Sequence, residues 1–271
     1  MIHMLKFPHT VLLLTVLLLR DVQVNAQWQI VKRLPKQPTK TLNVDAPPSV
    51  EMRPPVIWSM FFKDNLNGWA ACDDGALLRT TDGGSNWIRR RIYPRVNNSP
   101  VLSVAHIGAF FSNDRKGWII AHQKGSAVIL EANDGGQSWK VTFRSPFRLS
   151  AFHHIWFIDE KLGWVVGEAE DNDINGGLIY GTKDGGRTWN LQYKGNGKES
   201  FLNEVKFSDA FNGWAVGDKA VLRTSDGGAT WQRQNIPKEA FFFGVDALSP
   251  NEAWIVGSGG NIIHTVDGGS K

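Results

Sequence analysis

Along most of the chain, short apolar stretches alternate with polar positions at a period of two, and no window carries the i, i+3, i+4 spacing of an amphipathic helix. Five alternating segments, "VIWSMFF", "VAHIGAFF", "FHHIWFI", "VKFSDAF" and "FFFGVDAL", each precede a second apolar stretch. These stretches are "NGWAAC" (67–72), "KGWIIA" (116–121), "LGWVVG" (162–167), "NGWAVG" (212–217) and "EAWIVG" (252–257). A third short strand such as "LLRT" or "VLRT" follows, and then a turn rich in glycine: "TDGGSNW" (81–87), "NDGGQSW" (133–139), "KDGGRTW" (183–189), "SDGGATW" (225–231) and "VDGGSK" (266–271). The unit therefore reads as strand, tight turn, Gly-Trp strand, turn, short strand, Asp box, Trp-led strand. Four short strands in 40–50 residues is the period of a propeller blade. The pattern predicts an all-β fold, a β-propeller of four-stranded antiparallel blades. Five blades are visible from residue 57 onward, and Asp-box turns join third and fourth strands.

The Asp-Gly-Gly turn has a local cause. An Asp carboxylate can accept hydrogen bonds from backbone amides two or three residues ahead, closing the turn on itself, and the glycines supply positive φ angles. The Trp then opens the outer strand and buries a large ring, contributing about 2–3 kcal/mol. Asp82, Trp87, Asp134, Trp139, Asp184, Trp189, Asp226, Trp231 and Asp267 are thus expected to be structural, a staple on the exposed outer edge of each blade. From the Gly-Trp aromatic to the box Asp, blades two and three are longer than the others, which predicts insertions in the hairpin between their second and third strands. Such hairpins are where binding specificity is usually added.

The two ends break the pattern. "MIHMLKFPHT", the apolar run "VLLLTVLLL" and the small residues of "VNA" ending at Ala26 read as a secretory signal over residues 1–26, too short to span a bilayer. An uncleaved anchor is the alternative. Export to a periplasm, lumen or extracellular space follows from cleavage near Ala26. "AQWQIVKRLPK" (26–36) matches "ATWQRQNIPK" (229–238), so residues 27–35 are expected to form a latch strand without a blade of its own. The Pro-rich stretch of residues 36–56 lacks periodicity and reads as a surface excursion. Either the latch strand closes a five-bladed ring, or the chain is truncated from about seven blades; truncation is the preferred expectation, because the fifth box stops short of its Trp.

Candidate chemistry is sparse. "DNDINGG" (171–177) places Asp171, Asp173 and Asn175 ahead of a Gly, like the opening of a calcium loop, but Thr182 stands where the bidentate Glu belongs. An acidic surface hairpin is the preferred reading, and calcium is the one cofactor the sequence offers. "WIRRRIYPR" (87–95) gathers Arg89, Arg90, Arg91 and Arg95 after the first box, a cationic patch suited to an acidic protein partner or to lipid head groups, or else a solvated edge protected from aggregation by charge. His153 and His154 fall on opposite faces of a first strand with no third ligand evident, so packing is expected of them. "VGSGGN" (256–261) sits where every blade turns after its second strand, and no helix follows to cradle a phosphate.

Composition sharpens this only slightly. Twelve Trp and 28 Gly suit a turn-rich fold with large aromatic anchors. A formal charge of +4 is too small to argue for nucleic acid, and a single Cys, Cys72, excludes an intramolecular disulfide and a cysteine metal cluster.

The pairing of "T-x-DGG-x-TW" boxes with "GW-x-x-G" strands resembles the Asp-box (BNR) propellers, and within them the photosystem II stability/assembly factor family. The resemblance covers nearly all of residues 27–271. It implies a seven-bladed, exported, non-enzymatic chaperone whose arginine-rich surface holds a membrane-protein partner. The arginines of "WIRRRIYPR" are the nearest match to that surface. It further implies a monomer that binds a protein partner, including an integral membrane protein or its assembly intermediate, with no nucleic acid and no small-molecule cofactor. The chain lacks the lipoprotein Cys of many cyanobacterial members. Sialidases and other glycosidases also carry Asp boxes, so a secreted sialidase-like hydrolase is the competing reading. Of Tyr93, Tyr180 and Tyr193, none has a Glu that the sequence can place beside it on an inner strand, and no catalytic residue is assigned. A sortilin-like adhesion propeller is the third.

Overall fold

A computed structural model describes residues 56–270 apart from 73–75, 92–94, 97–98, 101–107, 124, 149, 172–173 and 238. The leader, the latch strand and the Pro-rich stretch as far as residue 55 lie outside the described residues. Five antiparallel sheets succeed one another as propeller blades. Blade one comprises β1 (Ile57–Phe62), β2 (Gly68–Cys72), β3 (Ala76–Thr80) and β4 (Ile88–Arg91). After the two-residue strands β5 (Arg95–Val96) and β6 (Ser99–Pro100), blade two is built from β7 (Ala109–Phe111), β8 (Gly117–Gln123), β9 (Ser126–Ala132) and β10 (Lys140–Arg144). Blade three comprises β11 (Ser150–Phe157), β12 (Gly163–Asp171), β13 (Ile174–Thr182) and β14 (Asn190–Lys194). Blade four comprises β15 (Leu202–Phe207), β16 (Gly213–Gly217), β17 (Ala220–Thr224) and β18 (Gln232–Arg233). Blade five has three described strands, β19 (Phe242–Ala247), β20 (Ala253–Gly257) and β21 (Ile262–Thr265).

Blades are joined by one repeated aromatic contact. In blades one to three the Trp of the Gly-Trp strand stacks on the Phe that ends the first strand of the following blade: Trp69 on Phe111 at 4.2 Å, Trp118 on Phe157 at 3.7 Å and Trp164 on Phe207 at 3.4 Å. Two of these indoles also donate across the interface, Trp118 Nε1 to the Gly185 carbonyl (3.2 Å) and Trp164 Nε1 to the Gly227 carbonyl (3.3 Å), so they grip the next blade's Asp box. From the other side, each Phe meets its own box Trp edge-on, as Phe62 with Trp87, Phe111 with Trp139, Phe157 with Trp189 and Phe207 with Trp231. One aromatic ring thus fixes a neighbouring blade and an outer strand at once.

The glycine of the Gly-Trp marker is required by the same ring. Phe62, Phe111, Phe157 and Phe207 pair across the ladder with Gly68, Gly117, Gly163 and Gly213. A Cβ on Gly68 would lie 2.7 Å from Phe62, and one on Gly213 would lie 2.6 Å from Phe207, so the ring lies where a side chain would stand. Blade five inverts both choices together: Ala253 replaces the glycine and its partner is Ala247.

The extra residues of blades two and three lengthen strands instead of loops. β8 and β9 run to seven residues each and β12 and β13 to nine, against five in blade four. The expected hairpin insertion is therefore a two-stranded extension of the sheet, in which Ala169 and Ile174 are buried. Continued alternation of pairing residues makes extension of the ladder more favourable than a free loop, because every added amide finds a partner.

Phe157→Ala is expected to lower unfolding stability by about 3–5 kcal/mol, and Gly163→Ala by about 1–3 kcal/mol from overpacking. In the Phe157→Ala background Gly163→Ala should cost far less, since the pair then reproduces Ala247 and Ala253. Urea unfolding of the three variants measures the coupling.

Candidate functional site

The box residues are engaged locally. Asp82 Oδ1 accepts from the Asn86 amide (2.8 Å) and from Thr80 Oγ1 (2.8 Å), while Oδ2 accepts from Asn86 Nδ2 (2.8 Å). Asp184 and Asp226 repeat this with Thr188 and Thr230, and Asp134 with Ser138. The carboxylate reaches four residues ahead, further than the two or three expected, because the two glycines at positive φ turn the chain back towards it. Asp267 takes the shorter bonds, from the amides of Gly269 and Ser270. The Thr two positions before the Asp completes the turn: Thr182 Oγ1 donates to Asp184 and accepts from the Gly186 amide at 2.8 Å. Hydrogen bonds from Thr230 and Thr224 hold Asp226 down to about 2, against modest desolvation. Such a carboxylate is ionised, saturated with donors and poorly suited to proton transfer.

Arg89, Arg90 and Arg91 occupy consecutive positions on β4, opposite Leu78, Leu77 and Ala76. They lie on the outermost strand of blade one, and Arg89 is half-buried. Arg95 is on β5, paired with Pro100. The side chains of Arg90, Arg91 and Arg95 lie outside the described residues.

Asp171 ends β12 and Asn175 lies on β13, where Glu170–Asn175 and Asp171–Ile174 are the last pairs of the ladder. Asp173 lies outside the described residues. Asp171 Oδ2 accepts from the Arg148 amide at 2.9 Å. From Ile174 onward the candidate calcium loop is strand, which sends successive side chains to opposite faces instead of around one centre.

His153 and His154 do not fall on opposite faces. The first strands of blades three, four and five each carry an extra residue at the same place, His153, Asn203 and Phe243, where the register slips. A bulge of this kind sets two consecutive side chains against one partner residue. In consequence both histidines meet β15: His153 Nδ1 lies 2.9 Å from the Leu202 carbonyl, and His154 Nδ1 accepts from the Val205 amide at 3.5 Å. Blade four repeats the move one step on, with Asn203 Nδ2 donating to the Phe242 carbonyl (2.7 Å) and the Val245 amide donating to Glu204 Oε2 (3.0 Å). In blades three and four the two residues at the bulge therefore clasp the first strand of the next blade.

This brings together charged groups that sequence reasoning missed. His154 Nε2 stands 3.7 Å from Glu204 Oε1, and the Lys206 ammonium lies 3.7 Å from the centre of the Trp156 ring. Asp246 exerts an electrostatic pull on Lys206. The signal was present in "NEVKF" and "GVDA", where Lys206 and Asp246 take the position held by Phe61, Phe110 and Trp156 in blades one to three, and Glu204 takes the position of His154.

A Tyr–Glu pair does exist, away from the inner strands. Tyr193 on β14 donates to Glu199 Oε1 (2.8 Å), and Arg233 on β18 holds Glu199 Oε2 (2.7 Å). The Glu199 carboxylate is fully buried and ties the outer strands of blades three and four. Burial, and then Glu199, push the Tyr193 phenol upward, so it stays protonated. Removing the central carboxylate strands Arg233 beside a buried site, and Glu199→Ala is expected to cost about 3–5 kcal/mol; thermal unfolding measures it. Among the described residues no group of three or more His, Cys, Asp or Glu side chains is placed to hold a metal.

Comparison with known proteins agrees with the repeat. The family model described as Photosynthesis system II assembly factor YCF48 matches residues 46–197 and 194–271. A photosystem II assembly lipoprotein Ycf48 from Synechococcus sp. (strain CC9902) is 30% identical over 79 residues, a match spanning 29% of this chain and 21% of that relative. A solved structure of YCF48 bound to a D1 peptide is 18% identical, covers 78% of this chain and 93% of that one, and has a TM-score of 0.41. The GH74 xyloglucanase from Xanthomonas campestris is 11% identical and covers 77% of this chain and 36% of that one; its TM-score of 0.56 reflects a shared fold. With the family model accounting for every blade, the chain belongs to the photosystem II assembly factor YCF48 family of BNR β-propellers.

Proposed function

We propose that the protein is an exported, non-enzymatic propeller that serves as a protein-binding scaffold in the assembly of a membrane-protein complex. The family match across residues 46–271 is the observation that carries this reading. Geometry supports it in two ways. The box aspartates are saturated by their own turns, and the Tyr193–Glu199 pair found among the described residues keeps its phenol protonated, the opposite of what a sialidase-like nucleophile needs. Export is supported by the leader pattern of residues 1–26. The arginine run on β4 supplies the charge for an acidic partner surface, on an outer strand that a partner can reach.

A D1 peptide, the ligand of one solved YCF48 structure, serves as the probe. Fluorescence polarisation with the full chain is expected to show saturable binding that weakens as salt rises. Charge reversal at Arg89, Arg90 and Arg91 together should reduce affinity at least tenfold, about 1.4 kcal/mol, in a variant that still unfolds cooperatively. Binding that ignores the triple substitution would remove the arginine run from the interface. Absence of binding together with turnover of xyloglucan or a sialoside would overturn the scaffold reading.

A further inference from the structure

Glu204 stands where three blades meet. Its Oε1 faces His154 Nε2 of β11 at 3.7 Å, and its Oε2 receives the Val245 amide of β19 at 3.0 Å. On its own strand Lys206 lies two residues away, engaged over the Trp156 ring, and Asp246 of β19 faces the same cluster. From β12, Glu168 approaches His153 at 3.8 Å. β16, "GWAVG", pairs with β15 and carries no ionisable side chain. Among the described residues, the cation near the carboxyl, Lys206, is therefore held against an aromatic ring, and the nearest base is an imidazole that burial, then Lys206, push down to about 3 and so keep neutral.

A glutamine would make the same bond to the Val245 amide. What distinguishes a carboxyl there is that it can ionise. We propose that Glu204 is a proton-operated joint: protonated, it closes the union of blades three, four and five, and ionised, it loosens that union by placing a largely buried charge between them. Burial lifts the carboxyl to about 7, so the change falls in the neutral range. Because the folded value exceeds the unfolded one, the stabilising contribution is complete below about 4.5 and is lost as pH rises through about 7. His154 acts in the opposite sense, its contribution being complete above about 6.5 and lost as pH falls towards 3. Between those limits the native cluster holds Glu204 protonated and His154 neutral.

Hydrogen exchange of the full chain, resolved to the β19 amides and corrected for the intrinsic pH dependence of exchange, tests the joint. Protection of the Val245 amide is expected to fall at least tenfold between pH 5.5 and 8.0 with a midpoint near 7, and Glu204→Gln should abolish that dependence. Two further variants move the midpoint in opposite directions. Lys206→Gln removes a cation and should raise it, while Asp246→Asn removes an anion and should lower it. Protection that does not vary with pH in the native protein would overturn the proposal. So would a Glu204→Gln profile superimposable on the native one, or midpoints that ignore the two flanking charges.

Discussion

The stacking of one blade's tryptophan on the next blade's phenylalanine is the contact from which the rest of the molecule follows. It sets blade spacing, since two π-faces at 3.4–4.2 Å leave no freedom to slide. It fixes the outer strand through the edge-on box Trp, and it dictates glycine on the paired strand. The Asp box reads as the most distinctive motif, yet it is mechanically downstream: its glycine carbonyls at 185 and 227 are the acceptors to which the preceding blade's indoles point. A turn whose own donors and acceptors were unsatisfied could not present a carbonyl in a fixed place, so the saturation of Asp184 and Asp226 serves the interface between blades as well as the turn.

Much of this was legible in the chain. Alternation, the recurring Gly-Trp and Asp-Gly-Gly segments and their spacing carried the blades, because each is a local requirement repeated from blade to blade. Local patterns were silent on features defined by register. The slip at His153, Asn203 and Phe243 has no compositional signature, since any residue can be the extra one, and without it the two histidines count onto opposite faces. The lengthened segments of blades two and three look the same in sequence whether they loop out or extend a ladder; pairing settles it. Glu199 was invisible for a different reason. It lies in a connection between blades, and only the fold brings Tyr193 and Arg233 to it.

The separation of scaffold from function explains why the same architecture also serves a xyloglucanase. Repeated residues are committed to holding blades together, and chemistry can enter only at positions that the repeat leaves free. In this chain those positions carry arginines on an outer strand and an ionisable cluster on inner strands.

Ala247 and Ala253 show what the aromatic constraint means for sequence change. The Phe–Gly and Ala–Ala pairs each avoid a clash across the ladder, but a Cβ added beside the ring produces a clash and loss of the ring alone a void. The two sites therefore behave as one heritable unit, with no neutral single step between its two states. A Gly-Trp marker is then half of a two-position code, and a blade that has lost its glycine can be recognised by reading six residues upstream for the missing ring.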